Sequence, residues 1–189
     1  MKLGKLIGAA AVAAAFAAPA LAQTTGTVVQ RNVNQQERIE QGLQSGQLTT
    51  REAAKLEGAE SRALKNGKLS PEERARIDRA QNQVSRDIYR EKHDAQVGNP
   101  NSPSSQRMQA DVQRNINQQQ RIEQGVKSGA LTNREVGKLE RGQARDNAMQ
   151  YRAGRDGHVG PNEQRRIQSA ENTQSQRIYR QKHDAQTKH

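Results

Sequence analysis

Cysteine and tryptophan are absent from these 189 residues, and phenylalanine occurs once, at Phe16. Without cysteine there is no disulfide framework, no thiol nucleophile and no thiolate metal site. The three tyrosines, Tyr89, Tyr151 and Tyr179, are too few to build a stacking platform for single-stranded nucleic acid. No segment after Ala22 is apolar enough to span a bilayer. Nucleophile elbow, phosphate loop, zinc-binding His-Glu spacing and cofactor fingerprint are all missing, so the expected role is not catalytic. Acid is also scarce relative to base: 20 Asp and Glu against 31 Lys and Arg, a formal net charge of +11.

Met1 to Ala22 carries Lys2 and Lys5, then an Ala-rich apolar stretch, and ends Ala20-Leu21-Ala22 before Gln23. That is the pattern of a secretory signal peptide with a small-residue cleavage site. It predicts a periplasmic or secreted protein with no transmembrane segment after cleavage. Phe16 and two lysines leave with the leader, which takes the net charge to about +9 by the same count. Leu, Ile, Val and Ala must then supply a thin core.

What remains is largely written twice. Arg31 to Glu57 returns as Arg114 to Glu140, identical at 19 of 27 positions, and Ser85 to Gln96 returns as Ser175 to Gln186. The offset grows from 83 to 90 residues between these blocks, so the second copy holds seven extra residues. Duplication on this scale predicts two modules, each with its own small core: module 1 over 23–96, a linker over 97–109 and module 2 over 110–189. The linker opens Val97 to Ser105, rich in Pro, Ser and Asn, and is expected to be flexible.

Each copy has two turns in which a small polar residue and Gly precede an aliphatic residue and a helix start. The glycines, Gly46, Gly67, Gly129 and Gly157, suit the left-handed residue that ends a helix. Thr49, Ser70 and Thr132 stand three residues before Glu52, Glu73 and Glu135, the spacing of a capping box. Pro71 and Pro161 fall at the first helical position. These signals predict an all-α fold with helices over 30–44, 50–65, 71–94, 110–127, 133–154 and 161–184. Ile77, Ala80, Val84 and Ile88 line one face of the third helix. Ile167, Ala170 and Ile178 repeat that stripe, but Gln174 interrupts it.

Gly46, Leu48, Thr49 and Glu52 occupy the spacing of the second half of a twelve-residue calcium loop, as do Gly67, Leu69, Ser70 and Glu73 and Gly129, Leu131, Thr132 and Glu135. Gly157, Val159 and Glu163 keep most of it. At these turns the chain resembles the EF-hand family, in a degenerate form, and secreted proteins of Gram-negative bacteria with such paired turns. The resemblance implies calcium as a cofactor, with Glu52, Glu73, Glu135, Asp156 and Glu163 as ligands. The first half of each loop departs from it: Gln41, Leu43 and Ser45 in the first, and Arg62, Leu64 and Asn66 in the second, stand where calcium needs oxygen ligands. Capping alone explains the Gly, Thr or Ser, and Glu. The leading expectation is therefore a binding or adaptor protein with EF-hand-like turns, for a protein partner or another copy of itself.

Two further sets of residues come into view. The repeated Tyr89-Arg90-Glu91-Lys92-His93-Asp94 and Tyr179-Arg180-Gln181-Lys182-His183-Asp184 place Tyr and His on one helix face. His93 and His183 are either transition-metal ligands or cations complementing a helix C-terminus; Met108 and Met149 are too few for a copper site. Arg76, Arg79, Arg86 and Arg90, partly repeated by Arg166, Arg177 and Arg180, lie along the third helices. They point to an anionic polymer or lipid surface as a partner, although Asp78, Asp87 and Glu91 mix acid into that face. Intracellular nucleic acid is not expected for an exported chain.

Overall fold

The structure is a computed structural model that describes residues 24–184, so the leader expected over 1–22 lies outside the described residues. All six elements among the described residues are helices: α1 (Thr25–Ser45), α2 (Thr50–Leu64), α3 (Pro71–Lys92), α4 (Pro103–Lys127), α5 (Asn133–Gly154) and α6 (Pro161–Lys182). The turn chemistry sets their ends. Gly46, Gly67, Gly129 and Gly157 all have positive φ, a backbone state that costs glycine least. Thr49 and Thr132 each accept the N–H three residues on while Glu52 and Glu135 accept theirs, completing two capping boxes. At α3 only Ser70 caps, accepting the Glu73 N–H. At α6 only Glu163 does, accepting the Gly160 N–H.

The helices α1 and α4 begin earlier than periodicity suggests. Thr24 caps α1, and Ser102 with Pro103 opens α4, so the linker expected through residue 109 ends at Ser102. The seven extra residues of the second copy lengthen α5 to 22 residues against 15 in α2. Seven residues make almost two whole turns. The insertion therefore extends the helix without rotating its buried face.

The halves do not form separate cores. α1 packs chiefly on α4 and α2 on α5, while α3 lies on α1 and α2, and α6 on α4 and α5. Each pair is antiparallel: Gly26 meets Val126, and along α2 Ala54 faces Gly154 and Gly58 faces Tyr151. Like segments thus pack on like, as in a twofold dimer made within one chain. One apolar cluster joins Ile39, Leu43, Leu48 and Ile88 of the first half to Met108, Val112 and Ile116 of the second. A second cluster, built of Ile122, Leu131, Val136, Leu139 and Ile178, is completed by Val29 from the first half. The expected flexible connection is held as well: the Gly98 N–H donates to the Gly46 carbonyl at 2.8 Å.

Close approach depends on glycine at two places. A Cβ at Gly137 would lie 2.0 Å from the Gly67 carbonyl oxygen, so the α2–α3 turn rests directly on α5. A Cβ at Gly142 would lie 2.1 Å from Gln174 Oε1. That notch lets Gln174 fill the place Val84 holds in the first half, fully buried and donating to the Leu139 carbonyl at 2.9 Å. The interruption in the α6 stripe is thus packed rather than left as a gap.

Between the apolar clusters the pairs α1–α4 and α2–α5 bury a polar layer. Gln36 donates to Glu57 at 3.1 Å, and its repeat-equivalent Gln119 donates to Glu140 at 3.2 Å. Asn32 of the first half also donates to Glu140, at 2.9 Å. Glu57, Glu60 and Glu140 are each 2% exposed or less, although their sequence reads as helix surface. Burial pushes Glu57 up to about 8 and Glu140 up to about 7, and Glu60 well up, with Glu57 and Glu140 adding repulsion at Glu60. A smaller group in the second half behaves alike: burial raises Asp111 to about 7 and Glu171 to about 8. Protonation of these carboxyls therefore persists to near neutral pH, where a protonated carboxyl donates as well as accepts, and Glu171 also faces the Arg114 guanidinium at 2.9 Å.

A candidate anion-binding groove

Arg134, Lys138, Arg141 and Arg145 follow one another along α5 at spacings of four, three and four, which makes one stripe. α6 lies beside it and contributes Arg177 and Arg180. Between the two helices runs an open groove of about 430 Å³, lined by Lys138, Arg141, Arg145, Arg177 and Arg180 with Leu139 and Gln181. A second hollow of about 460 Å³ shares Lys138 and Arg141, and adds Arg134 and Lys68 beside Gly67 and Ser70. Among the described residues no carboxylate lines either one. The result is a cationic track along α5.

The groove cations differ in how they are held. Arg141 donates to the Asn66 carbonyl at 3.2 Å, which fixes its direction. Arg145, Arg177 and Arg180 are exposed and take no part in the ion pairs found among the described residues. The nearby acid is Asp146, which is buried. Burial lifts its pKa to about 7, with Arg177 and Arg145 holding it lower than burial alone would. Neither arginine is fully neutralised from below. Guanidinium groups in this array can take the carboxylate, sulfate or phosphate groups of a polymer in bidentate fashion.

The structure sorts the arginines of the third helices. Arg177 and Arg180 enter the groove. Arg76 is occupied by Glu73 at 2.6 Å and by the Ala63 carbonyl at 2.9 Å. Arg86 donates to Gln83 and Arg90 pairs with Asp87, each at 2.6 Å. Arg79 is exposed on α3, away from the groove lining. Arg166 lines a separate hollow with Arg152, Glu163 and Met149. Sequence reasoning missed Lys138, Arg141 and Arg145, although their spacing was a legible signal. In the first half the stripe reads Arg51, Lys55, Gly58 and Arg62. Gly58 breaks it, and Arg51 donates to the Asp156 carbonyl at 2.8 Å.

The five carboxylates implied by the EF-hand resemblance stay in their own turns. Glu52, Glu135 and Glu163 cap helices; Glu73 pairs with Arg76 and accepts from Asn66 at 3.2 Å. Asp156 accepts the His158 N–H at 2.9 Å. Among them Glu52 is grouped with two other acids, Glu91 and Asp94. Where calcium loops would place ligands, Leu43 and Leu64 are core residues. His93 and His183 end α3 and α6 with Nδ1 2.7 Å from the carbonyls of Tyr89 and Tyr179. A carbonyl can only accept, so Nδ1 carries the proton in both. Each imidazole stacks on its tyrosine, with centroids 4.2 and 4.1 Å apart. No family model, no curated protein and no solved structure matches the chain.

Proposed function

We propose that this is an exported, non-catalytic binding protein that holds an acidic polymer in the groove between α5 and α6. The observation that carries the reading is the convergence of Lys138, Arg141, Arg145, Arg177 and Arg180 on one groove with no lining carboxylate. The leader of residues 1–22 supports export and makes an extracellular or envelope polymer the natural ligand. The groove is open and does not enclose a small substrate, which suits adhesion to a chain better than turnover. The duplicated sequence and the like-on-like packing favour an origin from two copies of a three-helix module with EF-hand-like turns. In the present chain the copies have diverged into one groove-bearing half and one without.

The test is calorimetric titration with a sulfated polysaccharide such as heparin, across a salt series. Binding should weaken steeply with salt, because each neutralised anion releases counterions. The triple variant R145Q/R177Q/R180Q should lose most of the affinity, and R76Q/R86Q should keep it. Equal loss in both variants would mean general basicity and not a groove.

A further inference from the structure

We propose a divalent-cation site in the first half, formed by Glu52, Glu91 and Asp94 and suited to a hard ion such as calcium. One carboxylate oxygen from each lies within 4.8 Å of the others, brought together from the start of α2, the last turn of α3 and the segment just after it. Glu52 is 1% exposed, and its two oxygens differ. Oε2 accepts the Thr49 N–H at 2.9 Å and completes the cap. Oε1 is buried and has no hydrogen-bond donor in reach. A buried carboxylate oxygen without a donor, on a side chain grouped with two more carboxylates, is stabilised by a bound cation.

The surroundings fix the three groups in place. Asp94 accepts the Gln96 N–H at 2.8 Å and the Gln96 side-chain amide at 3.2 Å, which orients its carboxylate. Gly98 then anchors the segment over the α1–α2 turn through its bond to Gly46, and a Cβ there would sit 2.3 Å from the Leu48 carbonyl oxygen. The C-terminus of α3 adds the negative end of its dipole. None of the three acids is among the ion pairs of the described residues, in a chain where base outnumbers acid. All the offered donors are oxygen, which selects hard cations over copper or zinc.

The same corner of the second half carries a different set of side chains. Glu135 and Asp184 are the counterparts of Glu52 and Asp94, but Gln181 replaces Glu91. Its amide donates to Asp184 at 3.3 Å, and Glu135 Oε2 takes both the N–H and the hydroxyl of Thr132, at 2.8 and 2.7 Å. There an amide meets the acid. With Glu at 91 that position offers a third carboxylate instead of a donor, so Gln96 alone donates to Asp94, and a bound cation would balance the remaining charge. This set is not that of the EF-hand resemblance, since Glu91 and Asp94 lie outside all four turns. It is also independent of the anion groove.

The test is calorimetric titration of the full chain with calcium in metal-free buffer, at salt high enough to screen the surface. One site is expected, with Kd on the order of 10⁻⁴ to 10⁻³ M, as for open extracellular sites. Glu91→Gln, which copies the second half, and Asp94→Asn should each weaken it by about tenfold or more. Substoichiometric manganese should broaden the amide NMR signals of residues 52, 91 and 94 and spare those of 135, 181 and 184. Absence of calcium binding, unchanged affinity in both variants, or broadening elsewhere only would overturn the site.

Discussion

Replacing Glu140 by Gln should stabilise this protein at mildly alkaline pH and leave it nearly unchanged at mildly acidic pH. Glu140 is 1% exposed, and burial lifts its carboxyl from an ordinary 4.5 to about 7 despite the amides of Gln119 and Asn32. A folded-state pKa above the unfolded one means that the native chain binds more protons between those values. Stability is then complete below about 4.5 and is lost as pH rises through about 7. A tenfold change in proton affinity corresponds to about 1.4 kcal/mol, so ionising Glu140 inside the fold costs roughly 3 kcal/mol. Glutamine keeps the accepting oxygen for Asn32 and Gln119 and cannot ionise. Urea unfolding at about pH 5 and about pH 8 should therefore show stabilities within about 1 kcal/mol of each other at the lower pH. At the higher pH the variant should lead by up to roughly 3 kcal/mol, or about 6–12 °C in a thermal melt of a chain this long. A gap of equal size at both pH values, or a less stable variant at pH 8, would refute the neutral-carboxyl layer.

The same layer predicts that the wild-type chain melts higher at about pH 5.5 than at about pH 8, since Glu57, Asp111 and Glu171 titrate in the same direction; a flat or rising profile by circular dichroism would contradict it. Gly137→Ala forces a Cβ into the Gly67 carbonyl, at 2.0 Å, and should destabilise by about 2–3 kcal/mol as an overpacked backbone contact. Its thermal midpoint would show this, and an unchanged midpoint would disprove the close approach. Residues 24–102 expressed alone lack the Met108, Val112 and Ile116 that complete their main cluster. They should be poorly helical or should self-associate, and a cooperative monomer in sedimentation would refute the shared core. Asp146→Asn should strengthen heparin binding at about pH 8, where the wild-type carboxylate opposes Arg145 and Arg177, and change it little at about pH 6.

Much of the local architecture was legible. Gly46, Gly67, Gly129 and Gly157 announced the helix ends, and Thr49, Ser70 and Thr132 the starts, because both depend on backbone geometry within a few residues. The early starts of α1 and α4 were missed, since their first turns are polar and weakly periodic. The groove was half legible. Arg177 and Arg180 stood out on α6, but their partners are on α5, and only packing shows which stripe of one helix borders another.

What the sequence by itself determined is therefore the number of helices, their caps and the duplication, all written in neighbours a few positions apart. What the tertiary structure decided is which faces are inside. Glu57 and Glu140, read alone, belong at a surface. They are buried because α1 packs on α4 and α2 on α5, and a side chain brought from the other half, as Asn32 is to Glu140, can satisfy a group that no local pattern could. Burial and pairing of polar groups are properties of the closed packing and not of any one helix.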